Sequence, residues 1–291
     1  VQVVSPYSAD FFPVEYFYDR RPPKKEAALC PAFAAGSGTG DTCDGCTSAD
    51  DGSIVCPLGF WGLNRVIERQ VRPIDLEGDP PPEPSTRDDL LPAVGGVVFA
   101  ASNHVNDDNP NEVAETLAAL NDITGSRSWL APDWKQWQQP AGLNKPVLLV
   151  ALPHNVDNEL GFQALQIGAD AELALNEIGE DYEPPRESVI LMLGCNTAAA
   201  AVEYEDFIAR LRSAGAAVVV GTVTYVLGMQ AAPLAREFVR QFWLRGGGDQ
   251  VVPMGEVVRA VRTRMVRAGN PMALAICAFG GADWRLAPRE D

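Results

Sequence analysis

The feature that most constrains this chain is a rhythm in its second half. Five apolar runs, "VGGVVFAAS" (94–102), "KPVLLVALPHN" (145–155), "ESVILMLGCN" (187–196), "AAVVVGTVTYV" (216–226) and "MALAICAFG" (272–280), are separated by more polar segments. A strand without a polar side must be covered on both faces. The segments 109–123, 202–215, 230–248 and 255–270 supply that cover, since their spacing predicts helices. In the first, Val113, Leu117 and Leu120 share one face, with Asn109 or Asn111 as the cap; Gly215 stops the second. Strands alternating with helices predict an α/β/α sandwich with a mainly parallel sheet. Residues 162–178 alternate on either side of Gly168-Ala169-Asp170 and predict a hairpin.

Residues 73–92 are rich in proline and acidic side chains and read as a linker. They divide an N-terminal segment, 1–84, packed onto the rest, from a main domain, 85–291. The formal charge of -16, from 39 acidic and 23 basic residues, argues against a nucleic-acid partner. No apolar run approaches the roughly 18 residues a membrane span needs, and no secretion signal opens the chain. The expectation is a cytoplasmic protein with no membrane partner.

Open α/β sheets carry their sites beyond the carboxyl ends of the strands. That rule selects His154 and Cys195, each at the end of an apolar run. His104, the other of two histidines, also follows a strand, in "ASNH". A cysteine nucleophile needs a base, because at an ordinary pKa only a few per cent is thiolate at pH 7. An imidazole can take the thiol proton and return it to a leaving group. Gly194 would allow close backbone approach beside Cys195. The plainer reading of Cys195 is a buried core thiol, which is also the reading for Cys277. Trp129, Trp134 and Trp137 read as packing residues ahead of a peptide-contact surface.

The remaining cysteines, Cys30, Cys43, Cys46 and Cys56, form C-x12-C-x2-C-x9-C. Four thiolates suit a closed tetrahedral zinc, which would be structural because no ligand position stays open. Disulfides and uncombined thiols are the alternatives.

The strings "LPHN", "DNELGFQALQIG", "SVILMLGCNTA", "AGAAVVVGTVTYVLG" and "PMALAICAFGGADWRL", with "VCPLGFWGLNRVIER" (55–69) upstream, resemble the CHAT branch of the caspase-like cysteine proteases. That clan includes caspases, metacaspases and separases, and its CHAT members are mostly bacterial. The resemblance covers most of residues 11–286. It implies a caspase-like sandwich with a Cys-rich N-terminal insertion and an endopeptidase acting on a protein or peptide through a thioester. His154 would be base and acid, Cys195 the nucleophile, and the backbone N–H groups of Asn155 and Cys195 the oxyanion donors. Many such enzymes have Gly where this chain has Asn155. Asp157 and Asp170, with Glu159, would be candidates to line a pocket for a basic residue. The Asp that metacaspase-type enzymes often carry two residues before the cysteine is Leu193 here. Catalysis would need no cofactor. Relatives are often joined to sensor or repeat domains. The alternatives are a catalytically inactive protein-binding module and a thiol hydrolase or acyltransferase for a small molecule.

Overall fold

The computed structural model describes residues 1–5, 13–36, 38–39, 42–43, 46, 52–71, 90–91, 95–138, 148–157, 163–179, 184, 188–194, 201–222, 224, 226, 228–245 and 252–287. Its main strands are β1 (Gln2–Ser5), β2 (Glu68–Val71), β3 (Val97–Ala101), β4 (Ser128–Leu130), β5 (Leu148–Leu152), β6 (His154–Asp157), β7 (Gln163–Ile167), β8 (Ala171–Ala174), β9 (Val189–Met192), β10 (Val218–Thr222) and β11 (Ile276–Gly280). The main helices are α1 (Glu112–Thr124), α2 (Trp134–Gln138), α3 (Ala201–Ser213), α4 (Gly228–Arg245) and α5 (Met254–Arg267).

Eight strands form one sheet in the order β1-β2-β11-β10-β9-β5-β3-β4. All its pairings are parallel except that of β10 with β11. The apolar runs are buried on both faces, as their composition requires. Alternate residues divide between two cores, following the pleat. Val97, Phe99, Leu148, Val150, Val189 and Leu191 meet α1, α4 and α5. Val98, Ala100, Leu149, Ala151, Ile190 and Met192 meet α2, α3 and the hairpin. The expected α/β/α sandwich is therefore present. Among the described residues, no helix is long and apolar enough to cross a membrane.

Three sequence expectations are refined. The hairpin forms as β7 and β8, and β6 joins it in a separate three-stranded antiparallel sheet. Helix α1 takes its cap from further back: Asn106 Oδ1 accepts the N–H of Val113 at 3.0 Å, while Asn111 makes no side-chain cap bond. Strands β1 and β2, from the Cys-rich segment, extend the central sheet beyond β11. The linker reading falls largely on 72–89, outside the described residues; Leu90–Leu91 pair with Arg285–Leu286.

A buried ion cluster ties the N-terminal segment to the sandwich. Glu15 is fully buried, and Arg69 and Arg262 nearly so. Arg69 Nε donates to Glu15 Oε1 at 2.9 Å, and Arg69 Nη2 reaches Oε2. Arg262 Nη2 lies 3.5 Å from Glu15 Oε1, Nε donates to Ile276 O at 2.9 Å, and Nη1 to Gly62 O at 3.2 Å. Burial pushes the Glu15 carboxyl up. The Arg69 bonds and the charges of Arg262 and Arg69 outweigh it and hold the group below its ordinary value. Cys277 is wholly buried beside this cluster, and burial drives its thiol well up, consistent with an inert core residue.

Candidate active site and four-cysteine cluster

Strands β3, β5 and β9 are neighbours and parallel, so their carboxyl ends share one edge. Each end delivers something different. After β3, Ser102 caps a short turn (Asn103–Asn106), its Oγ accepting the N–H of His104 at 3.3 Å. After β5, Pro153 breaks the strand, since it has no N–H to continue the ladder, and His154 begins β6. After β9, the N–H of Leu193 donates to Ala151 O at 2.9 Å, and the chain reaches buried Gly194. Cys195 follows in sequence and lies outside the described residues.

Two features of His154 bear on chemistry. Its Nδ1 is shielded from water and has no hydrogen-bond partner among the described residues. Leaving such a group unpaired costs about 1–3 kcal/mol. Burial, then the charge of His104, lowers its pKa, with Asp107 partly opposing. From a reference near 6.5, a lowered value leaves the ring neutral and basic at pH 7. The His104 ring lies 4.3 Å from it, centroid to centroid, and His104 Nδ1 is 3.1 Å from Asp107 Oδ2. The sequence marked His104 only as a residue after a strand. The usable signal was that both histidines of the chain follow apolar strands that prove adjacent.

Asn155 faces the other way from His154, because side chains alternate along β6. Its Nδ2 donates to Gln163 Oε1 across the sheet at 3.1 Å, while its Oδ1 is buried without a partner. Asp157 lies on that second face, three residues on and roughly 10 Å along the strand at about 3.3 Å per residue. Asp170 sits instead in the β7–β8 turn, which leans on the end of β3: the N–H of Asn103 donates to Gly168 O at 3.0 Å. The structure thus sends the two candidate pocket carboxylates to different faces and ends of the small sheet. Glu159 lies outside the described residues. Trp134 and Trp137 are buried edge to face at 5.2 Å; Trp129 is partly exposed at the sheet margin. Trp134 Nε1 donates to Leu165 O and Ala171 O, and Trp137 Nε1 to Val150 O, which holds the hairpin sheet onto the sandwich.

The four N-terminal cysteines converge as their spacing suggested. All four Sγ atoms lie within 4.8 Å of one another. Cys30 Sγ is 3.5 Å from Cys43 Sγ and 3.6 Å from Cys46 Sγ. Zn–S bonds of about 2.3 Å in a tetrahedron put sulfurs about 3.8 Å apart, whereas a disulfide needs about 2.05 Å. The donor set therefore fits zinc, and none of the five described cysteines is in a disulfide. The local chain supports the cluster: Cys46 N–H donates to Cys43 O, Arg20 Nη1 to Cys46 Sγ at 3.2 Å, and Cys56 N–H to the Tyr18 hydroxyl. Burial and the neighbouring Cys30 push the Cys43 thiol up to about 11, and burial with Cys46 pushes Cys56 up as well. These thiols would lose their protons on taking a metal.

No protein-family model and no curated protein matches the sequence. Among solved structures, the chain overlaps Saccharomyces cerevisiae separase in its complex with securin, at 16% identity and a TM-score of 0.41 over 68% of this chain. It overlaps the Arg-specific cysteine proteinase gingipain R at 11% identity and 0.45 over 77%, and a structure described only as a protease at 9% and 0.46 over 91%. The chain spans 12% of the separase, 56% of the gingipain and 61% of the third. Overlaps this weak carry no argument about activity.

Proposed function

We propose that the protein is a cysteine endopeptidase of the CHAT branch of caspase-like enzymes. The observation that carries the reading is the shielded Nδ1 of His154, which has no partner among the described residues and stands at the end of the strand next to the one that leads into Cys195. In this reading the thiol of Cys195 is its partner.

In this reading His154 takes the proton of Cys195, and the thiolate attacks the scissile carbonyl carbon. The carbonyl oxygen becomes an oxyanion held by the backbone N–H groups of Asn155 and Cys195. As the C–N bond breaks, His154 gives its proton to the leaving amine and a thioester remains. His154 then deprotonates a water, which attacks the thioester carbonyl, and the proton returns to sulfur as the acid leaves. A ring neutral at pH 7 is free to take the thiol proton, and its lowered pKa eases the return of that proton to the leaving amine. Asp170, on the β3 side of the hairpin, is better placed than Asp157 to meet a basic substrate residue.

The four cysteines hold a structural zinc in this reading. The metal would stabilise a segment of short strands and turns and would not enter the reaction. Substrate profiling with a random peptide library tests the whole. Cleavage should fall to background in Cys195→Ala and by roughly 10²–10⁴-fold in His154→Ala. Cleavage retained by Cys195→Ala refutes the reading; absence of cleavage by the intact protein points to the binding module instead.

A further inference from the structure

The two histidines of the chain meet at one edge of the sheet, at 4.3 Å and an interplanar angle of 39°. His104 is also held from its other side, with Nδ1 3.1 Å from Asp107 Oδ2. An ionised carboxylate only accepts hydrogen bonds, so Nδ1 is the protonated nitrogen. Three elements fix the turn that carries this pair. Ser102 Oγ accepts the His104 N–H, Asn103 N–H reaches Gly168 O, and Gly228 at the start of α4 packs so closely that a Cβ there would lie 3.1 Å from Val105 Cα. The His104 side chain is half exposed and that of Asp107 more so, so the placement of the ring rests on the capped turn and the constrained helix start rather than on the ion pair.

We propose that His104 is a positioning residue for His154: its ring walls the seat that keeps His154 Nδ1 shielded. The catalytic consequence rests on the dyad reading above; the ring contact itself does not.

The elements around His154 carry few charges. The turn after β3 brings His104 and Asp107, with Asp108 next in sequence. From β7, Gln166 lies opposite His154 in register and is uncharged. The β7–β8 turn carries Asp170, and Asp157 on β6 points to the other face. The start of α4 offers Gly228 and Met229, and β9 ends in Leu193 and Gly194, all uncharged. After burial itself, His104 is the group that most disfavours a charge on His154. A positive charge on the neighbouring ring disfavours a second one on His154.

With two histidines in the chain, ring-proton NMR titration resolves each. His104→Phe keeps a ring and removes the charge. The expected result is an upward move of the His154 midpoint in that variant, which a merely structural contact would not produce. A midpoint that stays put in a folded His104→Phe overturns the proposal. Where that variant does not fold, His104→Gln supplies the same titration. A second measurement separates this proposal from the dyad reading: iodoacetamide alkylation of Cys195 against pH, followed by peptide mass spectrometry. Its acid limb should move up with the midpoint, and loss of the ring in His104→Ala should slow it on the order of tenfold at pH 7. If His154→Ala leaves Cys195 alkylation unchanged at every pH while the midpoint shift stands, the dyad fails and the paired histidines remain.

Discussion

Replacing Glu15 with Ala would strip the negative charge from a site holding two guanidinium groups. Glu15, Arg69 and Arg262 are exposed by 0%, 4% and 2%, so water cannot take over the lost role. Arg69 would lose both its bonds to the carboxylate; Arg262 would keep Ile276 O and Gly62 O. Breaking a buried pair by removing one partner costs about 3–5 kcal/mol, because a charge is left uncompensated. Taking about 4 kcal/mol, and an unfolding entropy of about 2.1 cal/mol/K per residue, the melting temperature should fall by roughly 6 °C. Differential scanning calorimetry at pH 7 reads this directly. The same group sets a pH dependence. A carboxyl whose folded pKa is depressed adds stability that is fully present above its unfolded value, near 4.5, and is lost as pH falls through the lower folded value. The gap between wild type and Glu15→Ala should therefore narrow below about pH 4.5. A melting temperature within about 1 °C of wild type at pH 7 would show that the cluster is not what joins the N-terminal segment to the sandwich.

Two further outcomes follow from geometry. Protein purified without chelators should carry one zinc by elemental mass spectrometry; Cys43→Ser should lose it and lower the melting temperature, and affinity should rise with pH because buried thiols must deprotonate. Two disulfides and no metal would refute the site. Gly168→Ala should destabilise by about 1–3 kcal/mol, since Gly168 has a φ of 59° and a Cβ there would lie 2.7 Å from Pro132 O; an unchanged denaturant midpoint would count against the packed turn.

The sequence was most informative where one local rule decided the structure. Apolar runs with no polar face had to be interior strands, and Gly168-Ala169-Asp170 inside an alternating stretch had to turn. The four cysteines were legible from spacing alone. What sequence could not supply was set by contacts between distant residues. No spacing in the sequence relates Glu15, Arg69 and Arg262, and only the fold brings the three together inside. Strand β11 looks like the other apolar strands, yet it runs antiparallel to β10, because direction depends on how the chain returns from α5 rather than on composition. The pairing of His104 with His154 depended on β3 and β5 being neighbours, and β5 could have paired elsewhere without any change in its own residues.

The position of β2 has a consequence in time. Its neighbour toward the centre of the sheet is β11, reached through Phe279 opposite Arg69, so that partner is made more than two hundred residues later. At about 5–20 residues per second, a ribosome needs roughly 10–40 s to make that stretch. Throughout that interval the Cys-rich segment has no sheet edge to join, and Glu15 and Arg69 lack Arg262. Metal uptake by the four thiols, in the zinc reading, would be a local event that does not have to wait. In that reading the metal knot would form first, the sandwich second and the seam between them last, a late step typical of contacts far apart in sequence.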